Sequence, residues 1–173
     1  MVRSLVGAGA ALDPAGVYFL ARLSERYPTV EIRVADACLS VEDTVFFAAV
    51  VRALVGTLIE EARRNITAPP IPAGVVDAHL TTAAHGQVRI RRGRAPDGSS
   101  PATAGAVARL MAKVAPALAA CGDAEDVYAN LDRLRREGTG ADRQRKAWHR
   151  AGSPAGFIDF LADATTSFAT AHK

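Results

Sequence analysis

Apolar and polar side chains alternate strictly in the short stretch around residue 31. The apolar positions fall on one side of an extended chain: Val30, Ile32 and Val34. Glu31 and Arg33 fall together on the other side. A period of two is typical of a strand with one buried face. The pattern predicts a strand that points its apolar residues into a core and its charged residues away from that core.

Residues 17–23 also read as a strand, and a polar loop ending in Pro28 separates the two segments. An antiparallel pairing with Arg22 opposite Glu31 matches apolar residues on the other face: Leu23 with Val30, Ala21 with Ile32, and Phe19 with Val34. A slip of one residue would place each of these opposite a polar-face residue. The predicted polar face has Glu31 between Arg22 and Arg33, which suits phosphate oxygens. An ordinary solvated sheet face would look the same.

The rest of the chain predicts helices. Ser40 followed by Asp43 is typical of a capping box, so we expect a helix from Val41 to about Arg64. Residues 45–59 are apolar nearly all round but too short and too interrupted to span a bilayer, which predicts a central buried helix.

Further start and stop signals predict shorter helices over 74–85, 101–121 and 124–137, another that starts after Thr139, and a last one over 154–170. We expect Asp123 with Asp126 and Thr139 with Asp142 to cap two of these helices, and Ser153-Pro154 to open the last. The predicted fold class is α+β, with an antiparallel β-hairpin packed against predominantly helical structure.

Composition narrows the class of protein. A chain of 173 residues that is 49% hydrophobic can bury one core, so we expect a single domain over residues 1–173. Cys38 and Cys121 form no disulfide framework, and buried reduced thiols are expected. A net charge of +3 is too weak to argue for nucleic acid. The arginine cluster in residues 89–94 is expected to be an exposed arm, with nucleic-acid or acidic-partner contact as the alternative.

Several segments resemble one known family. They are VYFLARLS at 17–24, YPTVEIRVAD at 27–36, the helix from Asp43 to Val55, and GTGADRQR at 138–145. Together they resemble the C-terminal half of the carboxylate–amine ligases of the glutamate–cysteine ligase type 2 family, whose fold and chemistry are similar to those of glutamine synthetase. The resemblance implies a cytoplasmic ligase that uses ATP and Mg²⁺ to join glutamate to an amine such as cysteine through a γ-glutamyl phosphate.

The resemblance also implies roles for individual residues. Glu31 would be a metal ligand, Arg22 and Arg33 would face the phosphate or substrate carboxylate, and Asp36 would orient one of these arginines. Relatives in this family carry an acidic residue where this chain has Leu20. A leucine cannot bind a cation.

The resemblance covers only about half of a family member. We therefore expect the isolated chain to be incomplete as an enzyme and to form a homo-oligomer or to bind a complementing N-terminal-half chain. The alternative is a non-catalytic, degenerate relative that acts as a helical binding or interaction module. Gly138-Thr139-Gly140 likewise has two readings, a helix stop followed by a helix start or an anion-binding turn.

Overall fold

The computed structural model describes residues 2–10, 12, 20–24, 26–84 and 101–170. The chain forms two compact units, Met1–Ala37 and Cys38–Lys173. Helices account for most of the described residues, and the described strands form one antiparallel hairpin, so the α+β class is confirmed. The expectation of a single domain over residues 1–173 stays a prediction.

The first unit contains a short helix, α1 (Val2–Gly7), and a hairpin of β1 (Ala21–Leu23) and β2 (Val30–Ile32). The strands pair in the predicted antiparallel register: Ala21 with Ile32, Arg22 with Glu31, and Leu23 with Val30. Backbone bonds from Arg33 N to Leu20 O and from Ser24 N to Thr29 O, both 2.9 Å, extend the pairing by one residue at each end. The predicted pair of Phe19 with Val34 lies outside the described residues, as does the start of the predicted first strand.

The apolar face of the hairpin is exposed, which contradicts the expected core-facing role of Val30 and Val34. These two side chains are 45% and 49% exposed, and Leu23 is 76% exposed. The reason is that a two-stranded sheet cannot cover its own face and needs further strands or a helix packed against it. The alternation identified the two faces correctly but could not show that the apolar face would be covered.

The second unit is built from α2 (Val41–Arg63), α3 (Ala73–Ala84), α4 (Pro101–Cys121), α5 (Ala124–Glu137), α6 (Gly140–Ala151) and α7 (Pro154–Thr170). Three helices, α2, α4 and α5, supply the core: Ala49, Val50, Ala53, Met111, Val114, Leu118, Val127 and Leu131. Leu118 and Val114 are fully enclosed. Burial of a side chain of this size contributes about 1.5–3 kcal/mol to folding, so these helices form the most strongly packed part of the unit.

Helix α2 is buried on one face only. Ala49, Val50 and Ala53 enter the core, whereas Val45 is 55% exposed and Ile59 is 49% exposed. The predicted central position of α2 is confirmed, since it packs against both α4 and α5 and contributes to the core, but the expected burial on all sides is wrong. Among the helices of the described ranges, none is long and apolar enough to cross a membrane.

Both cysteines are exposed free thiols, so the expectation of buried thiols is wrong. Cys38 lies in the irregular segment before α2, and Cys121 is the last residue of α4. Neither position faces the packed side of a helix. The arginine cluster of residues 89–94 lies outside the described residues.

The helix starts test the capping predictions. Ser40 is the N-cap of α2, and its Oγ accepts a hydrogen bond from Asp43 N at 3.3 Å. Thr139 and Asp142 form a complete capping box at α6. Asp123 is the N-cap residue of α5 as predicted, but the expected side-chain capping bond is absent, because the carboxylate pairs with Arg52 of α2 instead.

Candidate functional site

The polar face of the hairpin brings together three of the four predicted site residues. Arg22 Nε lies 2.8 Å from Glu31 Oε2, and Arg33 Nη2 lies 3.2 Å from the same oxygen. Arg22 and Glu31 are direct partners across the strands, whereas Arg33 follows β2 and reaches back to the same carboxylate. The register therefore places one carboxylate between two guanidinium groups.

The electrostatics of this face favour an ionised glutamate. The hydrogen bond from Arg22 is the largest influence and lowers the pKa of Glu31, while burial opposes this and the charges of both arginines reinforce it. Arg22 is the most enclosed of the three, with 12% of its side chain exposed, whereas Arg33 and Glu31 are each about one third exposed. Among the described residues, two cations and one carboxylate meet on this face, a composition that suits an anionic ligand.

A magnesium ion would find one carboxylate on this face. Both arginines contact Oε2 of Glu31, and Oε1 has no ion pair with a described residue. No group of three or more potential metal ligands occurs within the described part of the chain. Mg²⁺ is usually held by one or two carboxylates together with substrate phosphates. The hairpin can therefore supply one carboxylate ligand to a magnesium ion, and its two arginines can contact an anion directly.

Two neighbouring residues do not join the cluster. Asp36 lies four residues beyond the end of β2, is exposed, and makes no ion pair with any residue that the structure describes. Leu20 precedes β1 and is 39% exposed, and its backbone oxygen accepts a bond from Arg33 N. Neither residue adds a carboxylate beside the arginines in this arrangement.

A second charged cluster lies in the helical unit and was missed by sequence reasoning. Asp43 in the first turn of α2 is only 9% exposed. Its Oδ1 lies 2.5 Å from Arg133 Nη2 of α5, and its Oδ2 pairs with Arg143 Nη2 of α6. We expected this carboxylate to complete the cap of α2. The partners lie 90 and 100 residues away, so no local pattern reveals them.

Burial works against ionisation of Asp43, but the two guanidinium groups outweigh it and hold the pKa of this carboxyl below its ordinary value. Burial and ion pairing also oppose each other at Arg133. Burial lowers the pKa of this guanidinium group, the hydrogen bond to Asp43 raises it, and the net pKa is raised. This cluster joins three helices of one unit through one carboxylate. Its role in the fold is to fix the start of α2 against α5 and α6.

The turn at residues 138–140 is a helix stop followed by a helix start, the first of the two alternatives that the sequence left open. Gly138 has φ +93°, in the region that favours glycine, and Thr139 begins α6 with its capping box. An anion-binding turn would draw on the nearby Arg143 and Arg145, but both have carboxylate partners: Arg143 pairs with Asp43, and Arg145 pairs with Asp142 at 2.6 Å. The turn therefore stops one helix and starts the next.

Comparison with known proteins agrees with the resemblance. A family model described as glutamate–cysteine ligase family 2 matches residues 1–162. Relatives named "Putative glutamate–cysteine ligase 2-2" from Mycobacterium sp. (strain KMS) and Frankia alni are each 42% identical, over 95% and 98% of this chain. A Salinispora tropica relative named "Putative glutamate–cysteine ligase 2" is 46% identical over 87% of this chain.

The matched segments make up 46%, 44% and 40% of those three relatives. The chain therefore spans less than half the length of the curated relatives it matches. No solved structure matches the chain.

Proposed function

The chain belongs to the glutamate–cysteine ligase family 2, and we propose that it contributes one part of an ATP-dependent carboxylate–amine ligase site. The proposed substrates are glutamate and an amine such as cysteine. In such a ligase ATP supplies the phosphoryl group that activates the γ-carboxylate of glutamate as an acyl phosphate, from which the amine displaces phosphate. This chemistry needs no side-chain nucleophile, but it needs positioned cations.

The observation that carries this proposal is the convergence of Arg22 and Arg33 on one oxygen of Glu31. Glu31 holds both guanidinium groups on one face of a hydrogen-bonded hairpin, so their positions are set before a ligand arrives. Preorganised cations stabilise developing negative charge without the cost of reorientation. We assign Arg22 and Arg33 to the transferring phosphoryl group or the carboxylate of glutamate.

Glu31 has a second proposed task. Its Oε1 has no ion pair within the described residues, so it can serve as one ligand of a magnesium ion whose other positions are filled by phosphate oxygens and by groups outside this face. Asp36 remains a candidate residue of the nucleotide-binding region. It could orient Arg22 or Arg33 only if the segment after β2 brought its carboxylate closer to them.

The curated relatives contain more than twice the length of this chain, which supports a site completed by further residues. We propose that these residues come from a complementing chain or from the rest of a longer polypeptide. The exposed apolar face of the hairpin fits this proposal, since additional strands or a helix would cover Leu23, Val30 and Val34.

A chimera tests the function. This chain would replace the matching segment of the Mycobacterium sp. (strain KMS) relative, and phosphate release would be measured with ATP, glutamate and cysteine. We expect the chimera to release phosphate only when ATP and glutamate are both present, and the 173-residue chain alone to release none. The parent relative, assayed in parallel, is the control for the reaction conditions.

Two outcomes would contradict the proposal. Robust release by the isolated chain would show that it needs no completing residues. A folded but inactive chimera beside an active parent would show that this chain no longer carries its part of a ligase site. The relatives reported above are all named as ligases, so the comparisons do not favour the alternative of a non-catalytic interaction module.

A further inference from the structure

The helical unit contains a groove of about 870 Å³ between the start of α2 and helices α5, α6 and α7. We call it the α6 groove because α6 supplies the largest share of its lining. A volume of this size accommodates a small organic ligand. None of the lining residues of this groove belongs to the hairpin. A ligand in the groove is therefore independent of the proposed ligase site.

One face of α6 lines the groove with cations. Arg143, Lys146 and Arg150 are spaced by three and then four residues, which places them on the same side of the helix. Arg143 pairs with Asp43, and Lys146 Nζ donates to the backbone oxygen of Glu137 at 2.8 Å. Arg150 has no ion pair with any residue in the described ranges. Within the described ranges, two of the three cations therefore have no carboxylate partner.

The acidic residues of the groove are already engaged. Glu137 Oε2 lies 3.6 Å from Arg133 Nη1. Hydrogen bonds to its own backbone and to Ser40 lower the pKa of Glu42, which keeps this carboxylate ionised at the start of α2. Neither glutamate has an ion pair with Lys146 or Arg150 in the described residues, so neither carboxylate occupies the ammonium or guanidinium group of these two cations.

Arg143 lies at the inner end of this row of cations. Its Nε is buried and has no hydrogen-bond partner among the groups that the structure describes, and its Nη2 pairs with Asp43. Lys146 and Arg150, whose side chains are exposed, are therefore the cations that a ligand reaches first.

The remaining wall of the groove is apolar. Its apolar lining comes from Ala147 and Ala151 of α6 and from Phe160 and Ala164 of α7. Convergent polar groups at one end and apolar side chains along the wall are the usual make-up of a small-molecule site. A ligand that fits this lining has an anionic end and an apolar body.

We propose that the α6 groove binds an organic phosphomonoester that carries an apolar group. A phosphomonoester offers three terminal oxygens and close to two negative charges at neutral pH, which matches Arg143, Lys146 and Arg150 better than the two oxygens and single charge of a carboxylate. The phosphate lies against these cations, and the apolar group packs on Phe160.

Titration calorimetry of the full 173-residue chain with phenyl phosphate tests the proposal. We expect binding that is at least about tenfold tighter than that of inorganic phosphate, because the ring buries apolar surface. Lys146→Gln and Arg150→Gln should each weaken the binding of phenyl phosphate about tenfold. Both side chains are exposed, so these variants keep the fold, and thermal melts would confirm it.

Arg136→Gln is the matched control, since Arg136 is an exposed cation of α5 outside the groove lining. It should leave binding unchanged. The proposal is overturned if phenyl phosphate does not bind at millimolar concentration, if Arg136→Gln weakens binding as much as Arg150→Gln, or if inorganic phosphate binds equally well. Loss of binding in Arg33→Gln would overturn it too, because the ligand would then contact the cations of the hairpin face.

Discussion

Arg22 donates a hydrogen bond from Nε to Glu31 Oε2 over 2.8 Å, and the two residues are direct partners across the hairpin. The ion pair therefore depends on the strand register. A slip of one residue would move Glu31 to the opposite face from Arg22 and would remove the carboxylate that also holds Arg33. The same register that matches the apolar residues of the hairpin thus assembles its charged face.

Asp43→Asn should destabilise the helical unit strongly. The substitution removes the carboxylate shared by Arg133 and Arg143, whose side chains are both only 19% exposed. Loss of one partner from a largely buried ion pair leaves uncompensated charge, and we expect a fall of about 2–4 kcal/mol in the free energy of unfolding. Urea denaturation measures it.

Asp123→Asn is the matched control for that experiment. It breaks the pair with Arg52, whose side chain is 61% exposed, and should cost less than about 1 kcal/mol. Equal losses in the two variants would show that Asp43 does not join α2 to α5 and α6 as the structure indicates.

The contribution of Asp43 should depend on pH in a defined direction. Its pKa in the folded protein lies below the ordinary value of 3.8, because the stabilisation by the two arginines exceeds the opposing effect of burial. The folded state therefore favours the ionised carboxylate. The difference in unfolding free energy between the wild type and Asp43→Asn should be constant above about pH 5 and shrink as pH falls through the native pKa.

Urea denaturation at several pH values from 7 to 3 checks this dependence. A difference that grows as the pH falls would contradict it, since a carboxyl group with a lowered pKa loses its contribution on protonation.

Gly138→Ala should destabilise the chain more than Gly152→Ala. Both glycines have positive φ, at +93° and +65°, so each substitution costs about 1–2 kcal/mol in backbone strain. At Gly138 an added Cβ would also lie 2.7 Å from Asp142 Cβ, whereas nothing lies within 4 Å at Gly152. Asp142 is held in place by the capping box with Thr139. Urea denaturation of both variants would detect the difference, and equal losses would contradict the steric argument.

Local signals were sufficient for the hairpin register and for most helix ends. Alternation of side chains paired Arg22 with Glu31, and the Thr139–Asp142 spacing located the start of α6. Such signals act over a few residues, which is why they succeed at turns and caps.

Long-range pairings were not predictable in this way. Asp123 has the sequence signature of a cap, but Arg52, 71 residues away, takes its carboxylate. Asp43 likewise has the sequence signature of a capping residue, but its carboxylate pairs with the distant Arg133 and Arg143. Nor does alternation show whether a face is covered, as Val30 demonstrates with 45% exposure.

The exposed apolar face of the hairpin predicts association. Leu23 and Val30 are exposed partners across the strands, and Val34 is exposed farther along the chain. Within the described residues each strand also has one unpaired edge, which can accept a further strand. We expect the isolated chain to self-associate at a protein concentration of roughly tens of micromolar, because a sizeable interface persists in about that range. Sedimentation velocity measures the oligomeric state.

Leu23→Ser should shift this association toward monomer, because it removes the most exposed of these apolar side chains. Leu58→Ser is a matched control on α2, where Leu58 is 42% exposed. A monomeric wild type at these concentrations would count against the hairpin as an association surface.

We propose that Glu31 and its two arginines belong to a ligase site, and the decisive measurement is formation of the γ-glutamyl product by the chimera. Glu60 is the matched control, because this exposed carboxylate of α2 also pairs with two arginines, Arg63 and Arg64. We predict that Glu31→Gln lowers kcat/KM by at least about a hundredfold, while Glu60→Gln leaves it unchanged. Product formation that is indifferent to Glu31→Gln in an active chimera would contradict the account.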